Sequence, residues 1–149
     1  MREYTSQRKR ITLAFVEAIK AIDGTGAYLT NLYDNVYPTL RFWDEIDTFP
    51  EVHVNAGPET REYLPGRFKW RFLTLTIRVY VNNEDDPQEE LALILEDLET
   101  VLESSGTISY TDNGGATKQI SDITILSLTT DEGVLNPLGA GEVTVEIRY

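Results

Sequence analysis

Carboxylates dominate the reactive side chains of this sequence, and they are clustered. Asn82-Asn83-Glu84-Asp85-Asp86 places oxygen-bearing side chains in one run, and oxygen is what Ca2+ and Mg2+ prefer. The run lacks the central Gly and distal Glu of a calcium loop, so helix capping is the simpler reading. Glu89 and Glu90 follow closely, and paired carboxylates can serve a hydrolase as acid and base. Nothing apolar in the flanking sequence would raise either pKa, and a helix N-terminus lowers one. A divalent-cation-dependent hydrolase built on Glu84–Glu90 is the less favoured alternative.

Other reactive groups are sparse. The chain has no cysteine, which excludes disulfides, a thiol nucleophile and thiolate metal sites. Its only histidine is His53, expected on the polar face of a strand without a catalytic partner. No G-x-S-x-G elbow occurs, and Gly24-Thr25-Gly26 and Gly139-Ala140-Gly141 extend into no phosphate-binding fingerprint, so both read as turns. The sequence predicts no catalytic residue, no metal site and no cofactor. An enzyme is not expected.

Charge is more informative. The 149 residues include 13 basic and 25 acidic side chains, for a formal charge of −12. That balance repels nucleic acid unless the cations are concentrated. Residues 61–78 hold Arg61, Arg67, Lys69, Arg71 and Arg78 against Glu62, whereas residues 79–117 hold no Lys or Arg and many acids. A chain with a basic and an acidic pole suits head-to-tail contact between copies; a solvated acidic helix beside a basic strand is the plainer alternative. No segment reaches the roughly 20 apolar residues that cross a bilayer, and Met-Arg-Glu-Tyr opens no signal peptide. The length fits one domain, residues 1–149, and the chain reads as cytoplasmic or assembled in the cytoplasm.

The elements that must carry these residues follow from periodicity. Ile11, Ala14, Phe15, Ala18, Ile19 and Ile22 form one stripe, predicting a helix from Ser6 to Ile22 that Gly24 stops. Arg8, Lys9 and Arg10 sit at its unfavourable end, either solvated or facing an acidic partner. Leu29–Tyr37 has the spacing of a short helix before Pro38, and Val52–Ala56 alternates as a strand ended by Gly57-Pro58. Arg67 to Val81 is the strongest strand, but its apolar residues change parity at Phe72–Leu73. Either a β-bulge corrects the register, or Phe68, Trp70 and Phe72 leave the core for a neighbouring subunit. Asp86, Pro87 and Glu89 open a second helix with a capping box. Its stripe of Leu91, Ile94, Leu95, Leu98, Val101 and Leu102 ends before Gly106. A hairpin pairs Thr107–Thr111 with Thr117–Ile120 around Asp112–Gly115. Ile123–Thr129 is a strand with a parity slip of its own, the loop Asp131–Gly141 follows, and Glu142–Tyr149 alternates cleanly. The order helix, strands, helix, strands predicts an α+β fold, a mostly antiparallel twisted sheet with two helices packed on it.

Two stretches carry a resemblance. One is Phe49-Pro50-Glu51-Val52, Ala56-Gly57 and Arg61 through Trp70, continuing into Val79-Tyr80-Val81 and the Asp85-Asp86-Pro87 cap. The other is Ser127 through Gly133 with Pro137, Gly139, Gly141 and the closing strand. Together they resemble the tail-terminator (tail-completion) proteins of long-tailed bacteriophages, over roughly residues 36–149. The resemblance implies a structural virion protein assembled in the bacterial cytoplasm. It forms a ring, usually hexameric, that caps the tail tube, stops its growth and meets the head-completion connector. In contractile tails it also meets the sheath. A head–tail neck adaptor of the same fold class is the alternative. DNA passes such a ring without specific binding, and a negative lining suits that passage. On this reading Arg67, Phe68, Lys69, Trp70 and Arg71, with Asp131, Glu132 and Leu135, are the interface candidates. Glu84, Asp85, Glu89 and Glu96 are candidates for the lumen, although their helix could equally face outward.

Overall fold

The computed structural model describes residues 5–103, 108–120 and 122–149. The elements are α1 (Gln7–Ile19), β1 (Val36–Tyr37), β2 (Glu51–Leu64), β3 (Phe68–Asn82), α2 (Pro87–Glu103), β4 (Ile108–Thr111), β5 (Thr117–Ile120), β6 (Asp122–Thr130) and β7 (Leu138–Arg148). One five-stranded sheet has the order β1-β2-β3-β7-β6, parallel at β1–β2 and antiparallel elsewhere. Both helices pack on one face of it, and β4–β5 forms a separate hairpin against α1. The α+β architecture and element order are those the sequence implies.

Local chemistry sets the helix ends. The Ser6 hydroxyl accepts from the Lys9 amide at 3.1 Å, and Ile11, Phe15 and Ile19 are buried while Ala14 and Ala18 are only partly so. Thr12 and Val16 are buried too, so the apolar face is rotated from the predicted stripe. The helix stops at Ile19 and its C-cap is Lys20; Gly24, with φ +81°, belongs to the next turn. At the start of α2 the Asp86 carboxylate accepts from the Glu89 amide at 3.1 Å. The second half of the expected box is replaced, because Asn83 Oδ1 takes the amides of Asp85 and Asp86. The predicted stripe of α2 is buried throughout. Its expected stop, Gly106, and the first hairpin residue, Thr107, lie outside the described residues.

Residues 29–37 are not helical. Asn31 Oδ1 accepts from the Tyr33 amide, Tyr33 and Asp34 have φ of 51° and 60°, and β1 follows. Local side-chain bonds of this kind compete with the helix that the apolar spacing favours. Nor does Gly57-Pro58 end β2, which runs on to Leu64. The register shifts between Ala56 and Glu59 instead, and a bulge tolerates a proline that can give no ladder bond. A Cβ at Gly57 would lie 3.1 Å from the Thr74 carbonyl oxygen.

The parity change in β3 resolves without a bulge in β3 itself. It pairs one-to-one with β7 from Phe72↔Arg148 to Asn82↔Leu138. Leu73, Leu75, Ile77, Val79 and Val81 therefore face the helices, and all are fully buried. Phe68, Trp70 and Phe72 project from the opposite face. In β6 the slip is a true irregularity, with the register shifting between Ile125 and Ser127 around Leu126. β7 starts at Leu138, inside the expected loop. Gly139 lies in it because a Cβ there would come within 2.9 Å of Leu91 and Val81.

Residues 38–50 cover the β1–β2 end of the sheet's other face. Trp43 meets Tyr80 edge-on at 4.7 Å and lies 6.0 Å from Phe49. Beneath this strap His53 is not a solvated strand residue but fully buried, its Nε2 2.6 Å from Glu51 Oε2. Arg41 donates to Glu51 Oε1 at 2.9 Å and its guanidinium sits 4.5 Å above the Tyr37 ring.

Candidate interaction surface

β7 ends at Arg148, level with Phe72, and the Arg71 backbone still pairs with Tyr149. Beyond that point β2 and β3 pair only with each other, from Arg61↔Arg71 to Leu64↔Phe68. The result is a two-stranded ribbon projecting past the sheet, closed by Gly66 and Arg67 at φ of 81° and 67°. Apolar side chains are displayed on it: Tyr63 is 73%, Phe68 68% and Trp70 39% exposed. Arg67 and Lys69 are exposed with no partner among the described residues. Trp70 lies under the Arg148 guanidinium at 4.0 Å, and Arg148 is paired with Asp122. Arg71 differs from its neighbours, since it donates to Gln7 Oε1 at 3.0 Å and is partly buried.

At this end of the sheet the N-terminal cations of α1 are also fixed from within. Arg8 donates to the Gly57 carbonyl, and Arg10 to the Thr111 carbonyl and Asn113 Oδ1. Lys9 stays exposed. Neither arginine therefore needs an acidic partner from outside. Tyr149 donates its phenol to Glu59. Burial first, and that bond second, push its pKa up to about 12.

Acidic groups collect at the opposite end, about 50 Å away along the 15 residues of β3 at ~3.3 Å each. Glu84, Asp85, Glu89 and Glu96 are all exposed there and along the outer side of α2. The 131–137 turn abuts them, with the Asn83 amide bonded to the Pro137 carbonyl. Asp131 organises this turn: it accepts from Gln88 Nε2 at 2.9 Å, the Leu135 amide at 3.0 Å and the Ala140 amide at 3.2 Å. Burial pushes its pKa up, but those donors outweigh it and hold the carboxyl below the ordinary aspartate value. Asp131 is thus committed internally, whereas Glu132 is exposed and Leu135 is 40% exposed beside Val134 at 84%. The predicted interface residues therefore fall into two groups that the fold places at opposite ends.

Not every acid of residues 79–117 is a surface charge. Asp97 is 1% exposed and accepts from the Leu29 and Thr30 amides and the Thr30 hydroxyl. Among the described residues no three His, Asp or Glu side chains converge as a metal-holding group. Sequence reasoning also missed Tyr63, although the Leu64-Pro65-Gly66-Arg67 run beside it is a turn signal between strands.

Comparison with known proteins assigns this architecture. The family described as Bacteriophage Tail Tube Terminator Protein matches residues 5–149. The chain belongs to that family. It is 40% identical over 149 residues to the tail tube terminator protein of Escherichia phage T5, covering 95% of this chain and 92% of that protein. A chain of a native gene transfer agent virion shares the fold at a TM-score of 0.53 and 9% identity, covering 96% of this chain and 93% of the other. This tail terminator is a structural component of the virion tail and not an enzyme, which disposes of the hydrolase alternative. None of its described helices is long and apolar enough to cross a membrane.

Proposed function

We propose that copies of this chain, each acting as one domain, close into a ring, hexameric as the resemblance implies. The ring sits on the last ring of the tail tube, ends tube growth and presents its other face to the head-completion connector. In a contractile tail it would also meet the sheath. Assembly takes place in the host cytoplasm, and DNA later passes through the centre without specific contacts.

One observation carries this reading: the unpartnered cations of the ribbon and the exposed acids of α2 and the 131–137 turn lie at opposite ends of β3. Cyclic rings are built from heterologous contacts, in which unlike patches of one chain meet around the circle. Arg67, Phe68, Lys69 and Trp70, with Arg71 at the ribbon base, supply one patch. Glu132 and Leu135 supply the other, on a turn that Asp131 shapes. Glu84, Asp85, Glu89 and Glu96 supply negative charge for the channel wall, where like charge keeps DNA from binding.

Negative-stain microscopy of the concentrated protein, alone and with purified tail tubes, tests this directly. Closed rings, or tubes capped at one end, are expected. A chain that stays monomeric and leaves tube ends bare overturns the proposal. Binding to a portal-side ring with no binding to tube ends reassigns it as a neck adaptor.

A further inference from the structure

β6 is an open sheet edge. Its outer side pairs with no other strand among the described residues over Asp122–Thr130. From Ile123 to Thr130 there is no charge and no proline. Leu126 is 53% and Leu128 44% exposed. Edges are ordinarily kept from pairing by short length, Lys, Pro or a cover. β6 is 9 residues long and has none of these among the described residues; its one guard is the bulge at Leu126, which leaves the regular stretches on either side open to pairing. The opposite edge shows the guarded form: the two-residue β1, then the length of β2 beyond it with Pro58, Glu59, Arg61 and Glu62.

The charge around β6 says which strand fits it. Residues 119–147 contain no Lys or Arg; Asp122 is paired with Arg148, Glu142 with Arg78 and Asp131 with its own turn, which leaves Glu132 and Glu146 as the acids without a cation or committed donor among the described residues. A basic strand with a free edge is the complement, and the chain possesses one. Beyond Arg71 the β3 side of the ribbon has no neighbour, and Arg67 and Lys69 are unpartnered there. The strand order β3-β7-β6 points the free edge of β6 away from its own ribbon, so a ribbon that reaches it comes from another copy.

We propose that β6 receives the β2–β3 ribbon of a neighbouring copy by strand addition, each copy giving one ribbon and accepting one. This rests on the ring reading above and names the contact that closes the ring. Main-chain bonds would supply the affinity, and Phe68 and Trp70 would cover the exposed leucines.

The cysteine-free sequence makes disulfide trapping clean, because paired strands bring Cα atoms to about 4.5–5.5 Å, within disulfide reach. Lys69→Cys or Phe68→Cys, from opposite faces of the ribbon, is combined with Ser127→Cys or Leu128→Cys, from opposite faces of β6. The full-length variants are oxidised with tail tubes present and read on non-reducing gels beside micrographs. A ladder up to the ring size from a double variant, and none from the single variants, is expected. Rings without a ladder overturn strand addition and leave the ring intact. Dimers from Ser127→Cys or Leu128→Cys alone overturn it in favour of β6 pairing with its own copy. Neither rings nor ladders overturns both readings. In a second arm, Leu126→Lys with Leu128→Lys should abolish rings while leaving the monomer's melting temperature unchanged, and rings that persist overturn the proposal.

Discussion

The carboxylate of Asp97 lies 2.8 Å from the amide nitrogen of Thr30, 67 residues earlier in the chain. It joins the buried side of α2 to irregular chain, next to the isolated bridge between Asp23 and Asn31. The same carboxylate also takes the Leu29 amide and the Thr30 hydroxyl. A charge carried into the apolar side of a helix is tolerable only when donors converge on it in this way.

Asp97→Ala leaves the Leu29 and Thr30 amides without their acceptor. Orphaning buried donors costs about 1–3 kcal/mol, and for a chain of this size each kcal/mol moves the melting temperature by about 2–4 °C. Calorimetry of the monomer should therefore show a fall of several degrees. An unchanged melting temperature would mean that water replaces the carboxylate.

Arg41→Met removes the guanidinium from Glu51, which is 1% exposed. The Glu51 carboxylate then keeps only His53. A loss of about 2 kcal/mol is expected, less than for a fully buried pair because Arg41 is partly exposed. Adding Glu51→Gln should recover part of that loss. A double-mutant cycle in urea measures the coupling, and strict additivity would refute the strap network.

Arg67→Glu with Lys69→Glu reverses the charge of the ribbon tip. Both side chains are exposed and unpartnered, so each change should cost no more than about 0.5 kcal/mol in the monomer. Assembly on tube ends should nevertheless be lost. A large drop in melting temperature would show instead that the ribbon's cations hold the fold.

Tyr149 titrates late, from an ordinary 10.0 up to about 12. Between those values the unfolded chain loses the phenol proton while the native chain keeps it, so stability is complete below pH 10 and falls as pH rises toward 12. Tyr80, raised by its burial, adds in the same direction. Ultraviolet titration should show that Tyr149→Phe removes a late phenolate transition and flattens the alkaline stability loss. If the wild-type tyrosines all ionise together, neither burial nor the Glu59 bond holds the Tyr149 proton in solution.

Gly139→Ala places a Cβ within 2.9 Å of Leu91 and Val81. Overpacking of this kind costs about 1–3 kcal/mol. The variant should melt lower, with α2 loosened over β7 and faster amide exchange in Leu91–Leu95.

Short-range side-chain patterns were enough for the two helices, the strand parity breaks, the Asp86-Pro87 cap and the alternation of the closing strand. Those features depend on side chains a few residues apart, where periodicity of 3.6 or 2 records which face is buried. The sequence also carried the family resemblance, because that rests on loops and turn residues read in order. Tertiary structure alone decided the rest. Asp97 looks like one more surface acid until the Leu29 and Thr30 amides arrive, and His53 looks solvated until residues 38–50 cross it. The parity break in β3 has two solutions in sequence, and only the length of β7 chooses between them: where β7 stops, the core stops, and Phe68 and Trp70 project. Segregated charge likewise became opposite ends only because β3 extends from one group to the other without a break in its pairing to β7. Burial is a property of what covers a residue, and here the cover comes from chain far away in sequence.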